Sequence, residues 1–138
     1  MSKNVEWSRK MQACQIEITS TVDGKQTVFS QKGYCVLAPL SATLQYTEHN
    51  AKVTLELKNG VVNIHRIGEY SLSLLLKKGE TCDGTLGING YEGNVQTKTT
   101  KLAYSLSETA LLLSLHYELI FGEEKQEMKL RIFTKLCE

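Results

Sequence analysis

Cys14-Gln-Ile-Glu-Ile-Thr-Ser-Thr-Val22 is the stretch on which the fold turns. Cys14, Ile16, Ile18 and Val22 are apolar, and Gln15, Glu17, Thr19 and Thr21 between them are polar. A strand points successive side chains to opposite faces, so this segment has one dry side and one wet side. Asp23-Gly24 follows at once and supplies the positive-φ chemistry of a tight hairpin.

The same period extends outward along the chain. Gln26 to Ala38 forms a second run, with a bulge or bend at Gly33 where its phase is mixed. Lys52–Lys58 places Val53, Leu55 and Leu57 on one face, Asn59-Gly60 turns the chain, and Val61–Ile67 returns. Tyr70, Leu72, Leu74 and Leu76 share a face before the turn at Lys78-Gly79. Leu111, Leu113, Leu115, Tyr117, Leu119 and Phe121 do so near the end, and Gly122-Glu-Glu124 leads into Met128, Leu130, Ile132 and Leu136. Between them, Glu80 to Gly93 carries Gly84, Gly87, Gly90 and Gly93, which reads as short, bent strands with close backbone approach. Val95, Thr97 and Thr99 then share one face, and Leu102, Tyr104 and Leu106 another.

These segments recur roughly every 8–12 residues, the spacing of an all-β sandwich or barrel. Nearest-neighbour hairpins throughout favour an all-β, closed antiparallel up-and-down barrel of about 8–10 strands, because closure removes the edges that a flat sheet leaves open. A β-sandwich is the alternative. Pro39 with Leu40 and Leu44, and Ser107-Glu-Thr109 ahead of Leu111, also fit helical starts. The strand template nevertheless fits more positions in both places.

With 138 residues, one domain spanning 1–138 is the natural count, with residues 1–10 a loosely ordered N-terminal segment. At this size about 68% of the unfolded surface is buried on folding, enough for a core without staples. Sixteen basic against 15 acidic side chains give a net charge of +1, which offers no overall footprint for nucleic acid or anionic lipid. No apolar run approaches the roughly 18–20 residues of a membrane span, and the first ten residues lack the apolar stretch of a secretory signal. A cytoplasmic protein with reduced thiols is the expectation. Cys14 falls on an apolar face and reads as core, and Cys137 reads as exposed.

Chemistry-bearing motifs are sparse. Cys14, Cys35, Cys82 and Cys137 make no C-x-x-C, and His49, His65 and His116 show no paired metal-ligand spacing. No Walker loop, dinucleotide fingerprint or nucleophile elbow is present. The expectation is therefore no enzyme, no metal and no cofactor. More informative are polar residues in phase with the apolar face. Glu48 follows Leu44 and Tyr46, and Arg66 follows Val62 and Ile64. Three readings apply: strand ends at which both charges reach water, a pair that orients a ligand, or an interior salt bridge. Thr97 and Thr99 add hydroxyls in phase with Val95.

From Gly33 to Arg131 the chain resembles the YwiB-like family of small bacterial proteins of unknown function. The resemblance rests on Tyr46-Thr-Glu48, on Ile64-His-Arg66-Ile-Gly68, on the glycine-containing segment before Val95-Gln-Thr97, and on Leu115-His-Tyr117-Glu-Leu119. It implies a calycin-like (lipocalin-like) barrel and lends no ligand or catalytic residue. The residue reading then points to a small, largely apolar ligand in the lumen, held by Tyr46, Glu48, Arg66, Thr97, Thr99 and Tyr117. The alternative is a filled barrel acting through its outer surface or as a homodimer, with outward Leu112 and Ile120 as the hint. As an enzyme it would have only Glu48 to offer as acid or base.

Overall fold

Alternation with period two shapes the strands of the described residues. The computed structural model describes residues 10–137 and contains ten strands. They are β1 (Gln12–Val22), β2 (Lys25–Ala38), β3 (Ser41–Glu48), β4 (Ala51–Lys58), β5 (Val61–Ile67), β6 (Tyr70–Leu76), β7 (Thr81–Ile88), β8 (Tyr91–Leu106), β9 (Ala110–Phe121) and β10 (Glu124–Leu136). Each pairs antiparallel with its sequence neighbours, and β1 pairs with β10, from Cys14 opposite Leu136 to Val22 opposite Met128. The result is a closed up-and-down barrel. Both segments that also fitted helical starts are strand and turn, and no described residue is helical. The loosely ordered segment expected at 1–10 lies, but for Lys10, outside the described residues.

Tight turns set the register. His49 and Asn50 between β3 and β4 both have positive φ (49° and 67°), as do Asn89 and Gly90 between β7 and β8 (51° and 83°). Those angles match the right-handed twist of paired strands, which is why such two-residue loops close hairpins. The Asn89-Gly90 turn resolves the glycine-containing segment into two regular strands.

Because the strands go up and down in order, alternate turns share an end. The β1–β2, β3–β4, β5–β6, β7–β8 and β9–β10 turns form one rim, here called the mouth, and the others form the floor. Inward residues at the floor are sealed. Leu111, Leu113 and Leu115 on β9 have no exposed surface, nor have Leu37, Leu55, Leu57, Val62, Leu76 and Ile132. Toward the mouth the seal loosens: Tyr117 is 5% exposed, Leu119 6%, and Phe121 is only partly buried. The lumen is thus filled below and open above. Each buried leucine or isoleucine contributes about 1.5–3 kcal/mol of transfer free energy, so the filled floor is a large source of stability.

Two seams interrupt the ladder. β2 pairs with β1 from Lys25 to Cys35 but with β3 only from Tyr34 to Ala38. Gly33 stands where the wall divides. A Cβ there would lie 2.5 Å from the Gln45 carbonyl oxygen and 2.6 Å from Ile16 Cδ1, so only glycine lets the strands approach. The second seam lies between β6 and β7, whose pairing stops at Ser73 opposite Thr85. Below it, the Thr97 hydroxyl donates to the Leu75 carbonyl at 2.6 Å, and Gly79 N–H donates to the Thr99 carbonyl at 2.8 Å. β8 therefore stitches to β6 across the gap left by β7.

A bulge at Thr100 corrects one expectation about faces. The β8–β9 register shifts between Thr99 and Lys101, so inward positions change from Val95, Thr97 and Thr99 to Leu102. Leu102 and the partly buried Leu106 therefore pack on the same interior as Val95, Thr97 and Thr99, while Tyr104, in register with Leu113, stays 43% exposed. The extra residue reverses the parity.

Gly33→Val should lower stability by about 1–3 kcal/mol through overpacking at the first seam. Urea unfolding monitored by circular dichroism checks this, and a midpoint equal to that of the parent would show that the strands do not approach as described.

Candidate functional site

The mouth holds the open part of the lumen. A cavity of about 410 Å³ there is lined by Val22 of β1, Tyr70 and Leu72 of β6, Leu86 and Ile88 of β7, Tyr117, Leu119 and Phe121 of β9, and Gln126 and Met128 of β10. Its wall is almost wholly apolar because inward positions stay apolar up to the ends of these strands. Alternation places them inside, and the absence of opposing side chains at the rim leaves space above them.

Polar groups gather at its edge. Arg66, half-buried on β5, donates from Nη1 to the Tyr70 carbonyl at 3.1 Å. Its guanidinium carbon lies 3.9 Å from the centre of the Tyr70 ring, a cation–π contact with a residue of the cavity wall. Glu48 is half-buried at the end of β3, and among the described residues no ion pair joins it to Arg66. The two in-phase charges therefore meet neither as an interior salt bridge nor as a bidentate pair. Glu48 acts instead on Tyr46. Burial first, then the Glu48 carboxylate and then Tyr117, raise the Tyr46 phenol above its ordinary range. Tyr46 also packs against Phe29, with ring centres 6.2 Å apart. Burial alone pushes Tyr117 up to about 12. Both phenols are neutral hydrogen-bonding groups at ordinary pH.

Of the six residues expected to hold a ligand, Tyr117 lines the cavity directly. Arg66 reaches it through Tyr70, and Tyr46 and Glu48 stand on the β3 side, where Tyr46 feels both the Glu48 carboxylate and Tyr117. Thr97 is buried and committed to the seam. Thr99, directly opposite Tyr117, is buried with no partner for its hydroxyl, as is Thr134 near the floor. The apolar wall itself, from Val22 to Met128, was not singled out from sequence as a site. Its signal was in-phase apolar residues persisting to strand ends on one rim, which becomes visible once alternate turns are placed together.

At the floor, Cys14 and Cys35 are buried beside each other, and Cys82 is buried elsewhere in the wall. A hydrogen bond to Cys35, followed by burial, raises the Cys14 thiol, and the same bond lowers Cys35. Cys137 is exposed. Among the described residues, no three His, Cys, Asp or Glu side chains are placed to hold a metal ion, and no helix is long and apolar enough to cross a membrane.

Comparison with known proteins locates this barrel. Residues 12–132 match the model described as Domain of unknown function (DUF1934). The chain belongs to the DUF1934 family. A crystal structure of ywiB protein from Bacillus subtilis is similar to it with a TM-score of 0.80 over 96% of each chain, at 18% sequence identity. That likeness bears out the YwiB-like resemblance and the ten-stranded closed form; at this identity it speaks to the fold. No curated protein matches the chain. DUF1934 thus supplies an architecture, and the mouth geometry is what distinguishes a candidate site on it.

Two expectations follow. Thr97→Val should cost about 1–2 kcal/mol, since it leaves the Leu75 carbonyl unpaired, whereas Thr99→Val should cost nothing or stabilise, because no partner is lost. Equal urea midpoints for the two variants would contradict these assignments. Second, Tyr117 binds its proton more tightly folded than unfolded, so its stabilisation is complete below about pH 10 and is lost as pH rises toward 12. Between those limits the stability of Tyr117→Phe should fall less steeply than the parent's, by up to about 1.4 kcal/mol per pH unit. Parallel slopes would remove the phenol from that role.

Proposed function

We propose that the protein binds a small, largely apolar molecule in the cavity at the barrel mouth, with Arg66 and Tyr117 as the polar contacts. The observation that carries this reading is an apolar space of about 410 Å³ on an otherwise filled barrel. It lies within the roughly 300–1,000 Å³ of small-molecule sites, which are mainly apolar with a few placed polar groups. In this reading the molecule rests on Leu72, Leu86 and Leu119 and directs a polar or anionic end toward Arg66, in the manner of a calycin. Glu48 and Tyr46 shape the β3 side of the rim. No catalytic step is assigned. With four thiols and no disulfide, a reducing cytoplasm is the matching compartment.

A second reading places the function on the outer wall. Leu112 and Phe133 are directly opposed there, and Phe133 is 40% exposed. A homodimer covering them is the form this reading takes, and sedimentation over a concentration series distinguishes it from a monomer.

The cavity reading is tested with 1-anilinonaphthalene-8-sulfonate, an apolar aromatic with one anionic group. Saturable binding is expected at about one equivalent, and Leu86→Trp, which fills the cavity from its rim, should weaken it at least about tenfold with the unfolding midpoint retained. No saturable binding to the parent, or equal binding to the variant, would contradict it.

A further inference from the structure

The outer wall carries a second feature, on β8, β9 and β10. The register sets Lys129 directly opposite His116, and His116 directly opposite Lys101, so three basic side chains form a row across three strands. Thr21 of β1 continues the row beyond Lys129. Arg131 lies one outward position along β10, opposite Ser114 on one side and Thr19 on the other. Together these residues line a depression of about 300 Å³.

Opposite charges facing each other across a sheet are stabilising, and like charges there are destabilising. Here the signs are segregated. Glu118 and Glu127 oppose each other one outward position toward the mouth, with Lys98 beside Glu118. Among the described residues, none of Lys101, Lys129 and Arg131 forms an ion pair. Partial burial, then Lys101 and Lys129, hold His116 below its ordinary value against an opposing pull from Glu127. The row is therefore unsatisfied as it stands.

We propose that it binds a chain of two or more linked phosphoryl groups, laid across the strands from Lys129 to Lys101. Adjacent strands are about 4.8 Å apart, so the outer lysines are rooted about 10 Å apart, the reach of a pyrophosphate or triphosphate chain rather than of one compact anion. Lysines act as point charges on such a chain, Arg131 is shaped to grip one phosphoryl group with two N–H donors, and Thr19, Thr21 and Ser114 offer hydroxyls. The Glu118–Glu127 pair bounds the site toward the mouth, and it would repel a polynucleotide running along the strands. The site lies on the outer wall and is independent of the mouth cavity.

His116 is the built-in reporter. In the full chain at low salt, inorganic pyrophosphate should shift the His116 ring resonances and raise its apparent pKa, because an anion beside it favours the imidazolium. Lys101→Gln and Lys129→Gln should each weaken binding about tenfold, the loss of one charge-assisted contact. Both variants should bind 1-anilinonaphthalene-8-sulfonate as the parent does, which separates this site from the mouth. Without anion, Lys129→Gln should be at least as stable as the parent. Millimolar pyrophosphate that leaves His116 unmoved would overturn the proposal. So would equal affinity in the Lys101→Gln/Lys129→Gln double variant, or sulfate binding as tightly as pyrophosphate.

Discussion

Everything in this molecule depends on β1 meeting β10. Nine hairpin pairings in sequence order build a meander, and only the pairing from Cys14–Leu136 to Val22–Met128 turns it into a closed wall. That contact joins the two ends of the described chain, so it carries the largest loop-closure cost. It is held by alternation. Ile16 and Ile18 of β1 face inward beside Thr134 and Ile132 of β10, and a slip of one residue would turn all of them outward. Closure therefore fixes which residues are inside, and hence what the interior can do.

Inside, volume decides function. The floor is packed with leucine, isoleucine and valine without exposed surface, while the mouth keeps a cavity because its inward side chains have no counterparts above them. The wall is also uneven. Gly33 lets β2 leave β3, and Thr97 replaces the missing β6–β7 ladder with a side-chain bond. Such seams are where a barrel deviates from a cylinder. Here the first flanks Tyr46 and the second underlies Thr99.

Much of this was legible in the residues. Alternation in Cys14–Val22, Lys52–Lys58 and Thr109–Phe121 specified strands, and the density of turns specified a meander. The hairpin at Asn89-Gly90 was obscured by its glycine-containing surroundings, although the dipeptide itself is a strong turn signal. The Thr100 bulge was hidden because one inserted residue reverses parity without changing composition. Glu48 and Arg66 stand in phase with the apolar face in the sequence, but their partners were not readable. Arg66 turns to Tyr70, a choice set by the β5–β6 turn. The basic row was invisible for another reason. Lys101, His116 and Lys129 become neighbours only through register, and a net charge of +1 conceals a local cluster.

An apolar cavity inside the rim and a basic row on the outer wall have meaning only if the wall is continuous. Interstrand amide and α-proton contacts between β1 and β10, measured by NMR on the full chain, test that continuity most directly. Contacts from Cys14 through Val22 to their partners Leu136 through Met128, with slowly exchanging amides along both strands, are the predicted result. An unpaired β1 edge, with rapidly exchanging amides and no contact to β10, would contradict the closed barrel.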